Sequence, residues 1–126
     1  METTTTTFRD LGVSEEILRA LEKKGLDCPT KVQLEAIGPL LQWRDVIAKA
    51  PTGTGKTFAF GIPIIEHIDA AAEDLQALIL APTRELAIQI GDELQQRQTF
   101  SLRNLVPMKS QFSGLFSLSS VTHFRQ

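Results

Sequence analysis

The sequence has no tyrosine, a single cysteine and no apolar run that approaches the length of a membrane span. A membrane helix needs about 18 consecutive apolar residues, and an apolar patch such as Gly61–Ile65 is far shorter. Cys28 is alone, so an intrachain disulfide is excluded. The N-terminal segment METTTTT has neither the basic stretch nor the apolar stretch of a secretory signal. These absences predict a soluble, cytoplasmic protein with no membrane association.

Acidic residues are missing from the end of the chain, because none of the 15 Asp and Glu residues follows Glu93. Residues 1–96 carry 9 of the 13 Lys and Arg residues and a formal charge of −6, whereas residues 97–126 carry the other 4 and a charge of +4. The hydrophobic share of 42% is that of a globular domain. We therefore predict a folded domain over residues 8–96, a disordered threonine-rich tail over 1–7 and a divergent tail over 97–126.

Four segments have helical periodicity, namely residues 14–24, 31–41, 56–68 and 83–96. Ser14 and Thr83 suit the N-caps of two of these helices, and Thr30 with Gln33 three residues later forms a capping-box pattern. Pro63 lies inside the third helix and is expected to kink it.

Two short apolar runs predict buried strands, DVIAKA at residues 45–50 and LQALILA at residues 75–81. Each is followed by a proline and then by a predicted helix. This order of elements predicts an α/β fold with a parallel sheet flanked by helices.

A phosphate-binding loop is indicated by residues 50–57, which read APTGTGKT between a predicted strand and a predicted helix. Backbone N–H groups of such a glycine-rich turn and the positive end of the helix bind phosphate oxygens. Lys56 is expected to reach the β- and γ-phosphates, and the Thr57 hydroxyl to ligate Mg²⁺. Ala50 stands where the strict pattern has glycine. The competing interpretation is a structural glycine turn with an exposed lysine.

Two further motifs flank this loop: GLDCPTKVQ at residues 25–33, with Phe8 upstream of it, and PTRELA at residues 82–87. Together the three motifs resemble the N-terminal RecA-like domain of DEAD-box RNA helicases over residues 8–96. The resemblance implies a partial RecA-like P-loop domain, with ATP and Mg²⁺ as cofactors. The nucleotide contacts it implies are Phe8, Thr30, Gln33, Ala50, Pro51, Thr52, Gly53, Thr54, Gly55, Lys56 and Thr57, of which Lys56 and Thr57 are also catalytic.

The resemblance assigns adenine recognition to Gln33 and base stacking to Phe8. A carboxamide has one donor and one acceptor, which match the N6 amino group and N7 of adenine but not O6 of guanine. Two structural alternatives stay open at this point. Gln33 is also the third residue of the capping box, and Phe8 is also a candidate core anchor for the first helix.

The resemblance further implies that Pro82, Thr83 and Arg84 bind the backbone of single-stranded or structured RNA. A hydroxyl, a guanidinium and helix N–H groups suit phosphate oxygens, although Arg84 and Glu85 also fit a solvated charge pair. Trp43 departs from the family, which usually has glycine at this turn. His67 has no partner that its sequence position reveals.

Several family segments are absent from the 126 residues: a Gly-Gly pair, Thr-Pro-Gly-Arg, the Asp-Glu-Ala-Asp box and Ser-Ala-Thr. We therefore expect an ATP-binding N-terminal portion of an ATP-dependent RNA helicase, truncated before the Asp-Glu-Ala-Asp box and itself inactive in hydrolysis. A reading-frame shift and alternative splicing would each produce the tail. The alternatives are a non-catalytic nucleotide- or RNA-binding module and another P-loop ATPase, such as a DNA helicase or a small-molecule kinase.

Overall fold

The computed structural model describes residues 6–69, 71–72 and 74–95, with the side chain of Gln95 excepted. This part contains four helices, listed in chain order as α1 (Glu15–Glu22), α2 (Lys31–Leu41), α3 (Lys56–His67) and α4 (Arg84–Gln95). All four predicted helices are confirmed, with ends within two residues of the predicted ones. None of the helices in this part is long and apolar enough to cross a membrane. The predicted tail over 97–126 lies outside the described residues.

The N-terminal turn before α1 is fixed by a carboxylate. The backbone N–H and the hydroxyl of Thr7 both donate to Asp10 Oδ2 at 2.8 Å, and these hydrogen bonds hold the pKa of Asp10 below its usual value. Most of the disordered tail predicted for residues 1–7 lies outside the described residues, which begin at residue 6. The turn delivers Phe8 to the interior, where it is 3% exposed.

Two apolar clusters hold the first three helices together. The larger cluster joins the N-terminal turn and α1 to α2 and α3, and its buried members are Phe8, Val13, Ile17, Leu18, Ala20, Leu21, Ile37 and Ile62. The smaller cluster lies between α2 and α3 and consists of Ala36, Leu40 and Ala59. Because α2 and α3 each contribute to both clusters, this pair of helices forms the centre of the described fold.

Contacts between residues that are far apart in the sequence fix the location of α3. The Ser14 N–H donates to Glu66 Oε1 at 2.6 Å, which ties the start of α1 to the end of α3. Pro63 does not end α3, since the helix continues to His67 with Pro63 fully buried. Gly61 allows α4 to approach, because a Cβ at this position would lie 2.6 Å from a terminal methyl of Leu94.

The sheet is where the structure departs from prediction. Neither residues 45–50 nor residues 75–81 form a strand in the described part of the chain. Several of their apolar side chains are exposed instead, with Ile47 at 97% and Leu75 at 76%, whereas Val46 and Ile79 are partly buried. A strand is stabilised by hydrogen bonds to a neighbour and, in a parallel sheet, by helices on both faces. The apolar pattern of these segments indicates strand preference but does not supply those partners.

The turn after α2 contains Trp43 at a φ of +59°, a conformation that favours glycine. Its ring stacks on His67, with centroids 3.8 Å apart and planes at 27°. His67 Nε2 also lies 3.2 Å from the Leu40 carbonyl oxygen. This stack joins the end of α2 to the end of α3, a role for His67 that the sequence analysis missed.

Candidate nucleotide-binding site

The backbone of the loop over residues 50–57 changes direction at two glycines. Gly53 and Gly55 both have a φ of +80°, in the left-handed region where other residues are strained. The Thr54 hydroxyl donates to the Pro51 carbonyl oxygen at 2.7 Å and braces the turn. The backbone is therefore held in a compact shape by residue types that the motif specifies.

Helix α3 begins directly at the end of this loop, with Gly55 as its N-cap. The Gly55 carbonyl accepts from the N–H groups of Phe58 and Ala59, each at 3.2 Å. The first N–H groups of a helix have no intrahelical acceptor, and the helix dipole adds partial positive charge there. Lys56 and Thr57 occupy this first turn, so the site can accept an anion.

Lys56 lies across the loop. Its ammonium donates to the Ala50 carbonyl oxygen at 2.8 Å, and the side chain is exposed. A neutral carbonyl is a weaker partner for an ammonium than a phosphate oxygen is. The lysine is thus positioned at the loop and can exchange this contact for an anionic ligand.

Gln33 joins α2 to the loop. Its side chain is 4% exposed, and its Nε2 donates to the Gly55 carbonyl oxygen at 3.0 Å. Its Oε1 accepts from the Thr30 N–H at 3.0 Å, which confirms the capping interaction. A primary amide has two N–H groups and two oxygen lone pairs. One donor and one acceptor site of Gln33 therefore remain beyond these two bonds.

A second contact runs parallel to the first. The Thr30 hydroxyl donates to the Thr54 carbonyl oxygen at 2.8 Å. The structure therefore brings Thr30 and Gln33 together with the loop, two parts of the chain that are more than twenty residues apart. The family resemblance was the only signal in the sequence for this contact, because local spacing indicated only the N-cap of α2.

Phe8 is placed in the larger cluster rather than on an open surface. It also lines a cavity of about 220 Å³, whose walls are formed by Thr7, Phe8, Arg9, Leu18, Leu21, Glu22, Leu26 and Asp27. An exposed fraction of 3% supports the core-anchor alternative. Base stacking by this ring stays a prediction.

Pro82, Thr83 and Arg84 are exposed at the start of α4. The Thr83 hydroxyl accepts from the Leu86 N–H at 3.2 Å, so the predicted N-cap is confirmed. This helix start presents a guanidinium beside N–H groups, a combination suited to a phosphate.

Comparison with known proteins shows similarity to helicases. A family model described as DEAD/DEAH box helicase matches residues 30–115. The DEAD-box ATP-dependent RNA helicase CshA of Bacillus cereus is 49% identical over 89 residues, which are 71% of this chain and 17% of that protein. A DEAD box protein from Methanococcus jannaschii has a similar structure, with a TM-score of 0.67 and 42% identity over 72% of this chain and 25% of that one.

A second solved structure, Saccharomyces cerevisiae Dbp5 bound to RNA and ADP BeF3, matches with a TM-score of 0.70 and 34% identity. It covers 75% of this chain and 25% of that one.

The chain spans less than a fifth of the length of the curated relatives it matches. The matching solved structures also support the α/β class for this fold. The family match extends past residue 96, and it covers more than half of the chain. The chain therefore belongs to the DEAD/DEAH box helicase family.

Proposed function

We propose that this chain binds ATP with Mg²⁺ at the loop over residues 50–57, as the nucleotide-binding part of an ATP-dependent RNA helicase. The observation that carries the proposal is the hydrogen bond from Gln33 Nε2 to the Gly55 carbonyl oxygen. It joins the residue proposed to contact adenine to the loop proposed to hold the phosphates.

The phosphates are proposed to lie on the backbone N–H groups between Gly53 and Thr57, at the positive end of α3. Lys56 would leave the Ala50 carbonyl and bind a phosphate oxygen. The Thr57 hydroxyl would ligate Mg²⁺, which neutralises phosphate charge when bound. The remaining loop residues Pro51, Thr52, Thr54 and Gly55 shape this cradle.

Adenine recognition is proposed for the donor and acceptor sites that Gln33 retains, with Thr30 holding the amide in place. Adenine presents an amino group and a ring nitrogen to a carboxamide, whereas guanine presents O6 in place of the amino group. Base stacking by Phe8 is proposed from the family resemblance alone. The cavity that Phe8 lines contains neither Gln33 nor any residue of the loop, and the burial of the ring makes core packing the competing role.

Single-stranded or structured RNA is the proposed second ligand, bound through its backbone by Pro82, Thr83 and Arg84. Phosphate contacts of this kind position a strand without reading its sequence. The proposed location is the cytoplasm, where RNA and ATP are both available.

Hydrolysis is a separate question from binding. Phosphoryl transfer needs an acidic group that organises metal and water, and no Asp or Glu follows Glu93 in these 126 residues. We therefore propose negligible hydrolysis by this chain alone, although its relatives are named ATP-dependent helicases. This observation favours a second candidate function, a module that binds nucleotide or RNA without hydrolysing ATP.

Competition binding tests the proposal. A fluorescent ATP analogue would be titrated into the chain with Mg²⁺, and ATP, ADP and GTP would be added as competitors. ATP and ADP should displace the probe and GTP should not. Lys56→Ala should weaken binding at least about tenfold, as loss of a charge-assisted contact does. Lys23→Ala, an exposed lysine after α1, is the matched control. Equal competition by GTP would refute adenine selectivity, and an unchanged Lys56→Ala affinity would refute the phosphate site.

A further inference from the structure

Two carbonyl groups of the loop over residues 50–57 face the start of α2. The Thr54 carbonyl oxygen accepts a hydrogen bond from the Thr30 hydroxyl at 2.8 Å. The Gly55 carbonyl oxygen accepts one from Gln33 Nε2 at 3.0 Å. These carbonyls belong to consecutive peptide groups, and the N-cap and the first turn of α2 supply both donors. The start of α2 therefore fixes the orientation of two successive peptide planes of the loop.

The N–H groups of the same two peptide planes point the opposite way. A trans peptide is planar, with its C=O and its N–H on opposite sides, and the described residues contain no cis peptide bond. The Thr54 carbonyl shares its plane with the Gly55 N–H, and the Gly55 carbonyl shares its plane with the Lys56 N–H. Both N–H groups are therefore directed away from their tethers on α2. Neither donates to an acceptor within the part of the chain that the structure describes.

These two N–H groups lie where the proposed function assigns the phosphates, at the positive end of α3. A phosphate oxygen accepts a strong hydrogen bond only from an N–H group that points at it, because the bond weakens steeply as its angle departs from linearity. A side chain that fixes a peptide plane thus preorganises the anion site without touching the ligand.

We propose that the Thr30 hydroxyl is a positioning group for the phosphates of the nucleotide, acting through the Gly55 N–H. This inference rests on the proposed function and deepens it, because it names the half of the nucleotide that the hydroxyl serves. The Thr30 backbone N–H has a different partner, Gln33 Oε1 at 3.0 Å, and so supports the residue proposed to contact adenine. Two groups of one residue therefore act on the two halves of the ligand.

The competing role for the Thr30 hydroxyl is the N-cap of α2. A hydroxyl oxygen accepts from a helix N–H and donates its own proton at the same time, so both roles fit one geometry. They differ in their consequences. Loss of a cap destabilises the chain and weakens the binding of every ligand alike, whereas loss of the bond to Thr54 weakens only ligands that carry phosphate.

Two half-ligands separate these roles. Tripolyphosphate with Mg²⁺ carries the phosphates without a base, adenosine carries the base without phosphate, and each would compete with the fluorescent ATP analogue for the full chain. Thr30→Val removes the hydroxyl and keeps the backbone N–H. It should raise the inhibition constant of tripolyphosphate about fivefold, as loss of one neutral hydrogen bond does, and leave that of adenosine unchanged. Thr30→Ser keeps the hydroxyl and should behave like the unchanged chain.

Thr7→Val is the matched control, because the Thr7 hydroxyl also donates a hydrogen bond of 2.8 Å, in its case to Asp10 Oδ2 in the N-terminal turn. This variant should leave both inhibition constants unchanged. Lys56→Ala marks the phosphate site itself and should weaken tripolyphosphate more strongly than Thr30→Val does.

Amide NMR tests the orientation of the individual N–H groups. In the unchanged chain, tripolyphosphate with Mg²⁺ should shift the proton resonances of the Gly55 and Lys56 N–H groups downfield, because both would donate to phosphate oxygens. In Thr30→Val the shift at saturation should be smaller for Gly55. It should be kept for Lys56, whose peptide plane is still held by Gln33. Loss of the α2 cap alone would not distinguish these neighbouring groups.

Three results would overturn the proposal: equal tripolyphosphate affinity in Thr30→Val and the unchanged chain, an equal loss for adenosine, or a Thr30→Ser variant that behaves like Thr30→Val. If Lys56→Ala weakens tripolyphosphate and Thr30→Val does not, this proposal fails and the proposed function stands. If Lys56→Ala also leaves tripolyphosphate binding unchanged, the phosphate site itself is wrong and both proposals fail.

Discussion

The side-chain amide of Gln33 bridges two elements: it donates to the Gly55 carbonyl oxygen and accepts from the Thr30 N–H, both at 3.0 Å. The first bond reaches the loop over residues 50–57, and the second caps α2. Because the amide is almost completely buried, water cannot replace either partner. A ligand that shifts the loop must therefore also act on the start of α2.

Gln33→Glu separates the two roles of this residue. A carboxylate still accepts the Thr30 N–H, but it faces the Gly55 carbonyl with a second acceptor in place of a donor. We expect α2 to remain capped, while the affinity for the fluorescent ATP analogue falls at least about tenfold. Gln42→Glu adds the same charge at the exposed end of α2 and serves as the control. Unchanged affinity in Gln33→Glu would show that the bridge does not contribute to nucleotide binding.

Gly55→Ala should disturb the same bridge from the other side. A Cβ at this position would lie 2.3 Å from Gln33 Nε2, and its φ of +80° adds backbone strain of about 1 kcal/mol. At Gly53, which has the same φ, a Cβ meets nothing within 4 Å. Thermal unfolding should therefore show a larger loss of stability for Gly55→Ala than for Gly53→Ala.

A double variant identifies the cause. Removal of the Gln33 side chain in Gly55→Ala/Gln33→Ala eliminates the clash, so the double variant should lose less stability than the sum of the two single variants. Additive losses of stability would mean that a clash with the Gln33 side chain is not the reason why position 55 requires glycine.

Local signals in the sequence predicted the helices, but contacts between residues distant in the sequence could not be predicted from it. The caps at Thr30 and Thr83 are made within a few residues, so spacing is enough to reveal them. The bond from Ser14 to Glu66 joins residues 52 positions apart, and no periodicity encodes it. The same limit applies to residues 45–50, whose apolar pattern indicated a strand but could not name its neighbour.

Two substitutions distinguish the two candidate roles of Phe8, core packing and base stacking. As a core anchor it should tolerate Phe8→Leu, which keeps an apolar side chain and should lower stability by less than about 1.5 kcal/mol. Phe8→Ala should lower it by about 3–5 kcal/mol. Since the ring is 3% exposed, we expect Phe8→Leu to keep its ATP affinity. A loss of affinity in Phe8→Leu with an unchanged melting temperature would instead assign the ring to the base.

Asp10 should make stability depend on pH. Its pKa is lowered by the hydrogen bonds from the Thr7 N–H and hydroxyl. A carboxylate with a lowered folded-state pKa stabilises the fold above the unfolded-state pKa of 3.8, and this contribution disappears as the pH falls through the folded-state value. The melting temperature of Asp10→Asn should therefore lie below that of the unchanged chain at pH 7, and the two should converge in acid. Thr7→Val removes only the hydroxyl donor and should show a smaller difference; equal differences at both pH values would contradict the assignment.

Trp43 offers a test of backbone strain, because it holds a φ of +59° while its ring stacks on His67. Trp43→Ala and Trp43→Gly both remove the stack, which is worth about 0.5–1.5 kcal/mol. Only glycine also relieves the left-handed strain, which is about 1–2 kcal/mol for a residue with a Cβ. Trp43→Gly should therefore be more stable than Trp43→Ala by about 1 kcal/mol in urea unfolding, and near the unchanged chain. Because both variants lose every contact of the indole ring, the difference between them isolates the backbone. Equal stability would mean that the turn has relaxed out of the left-handed conformation once the ring is gone.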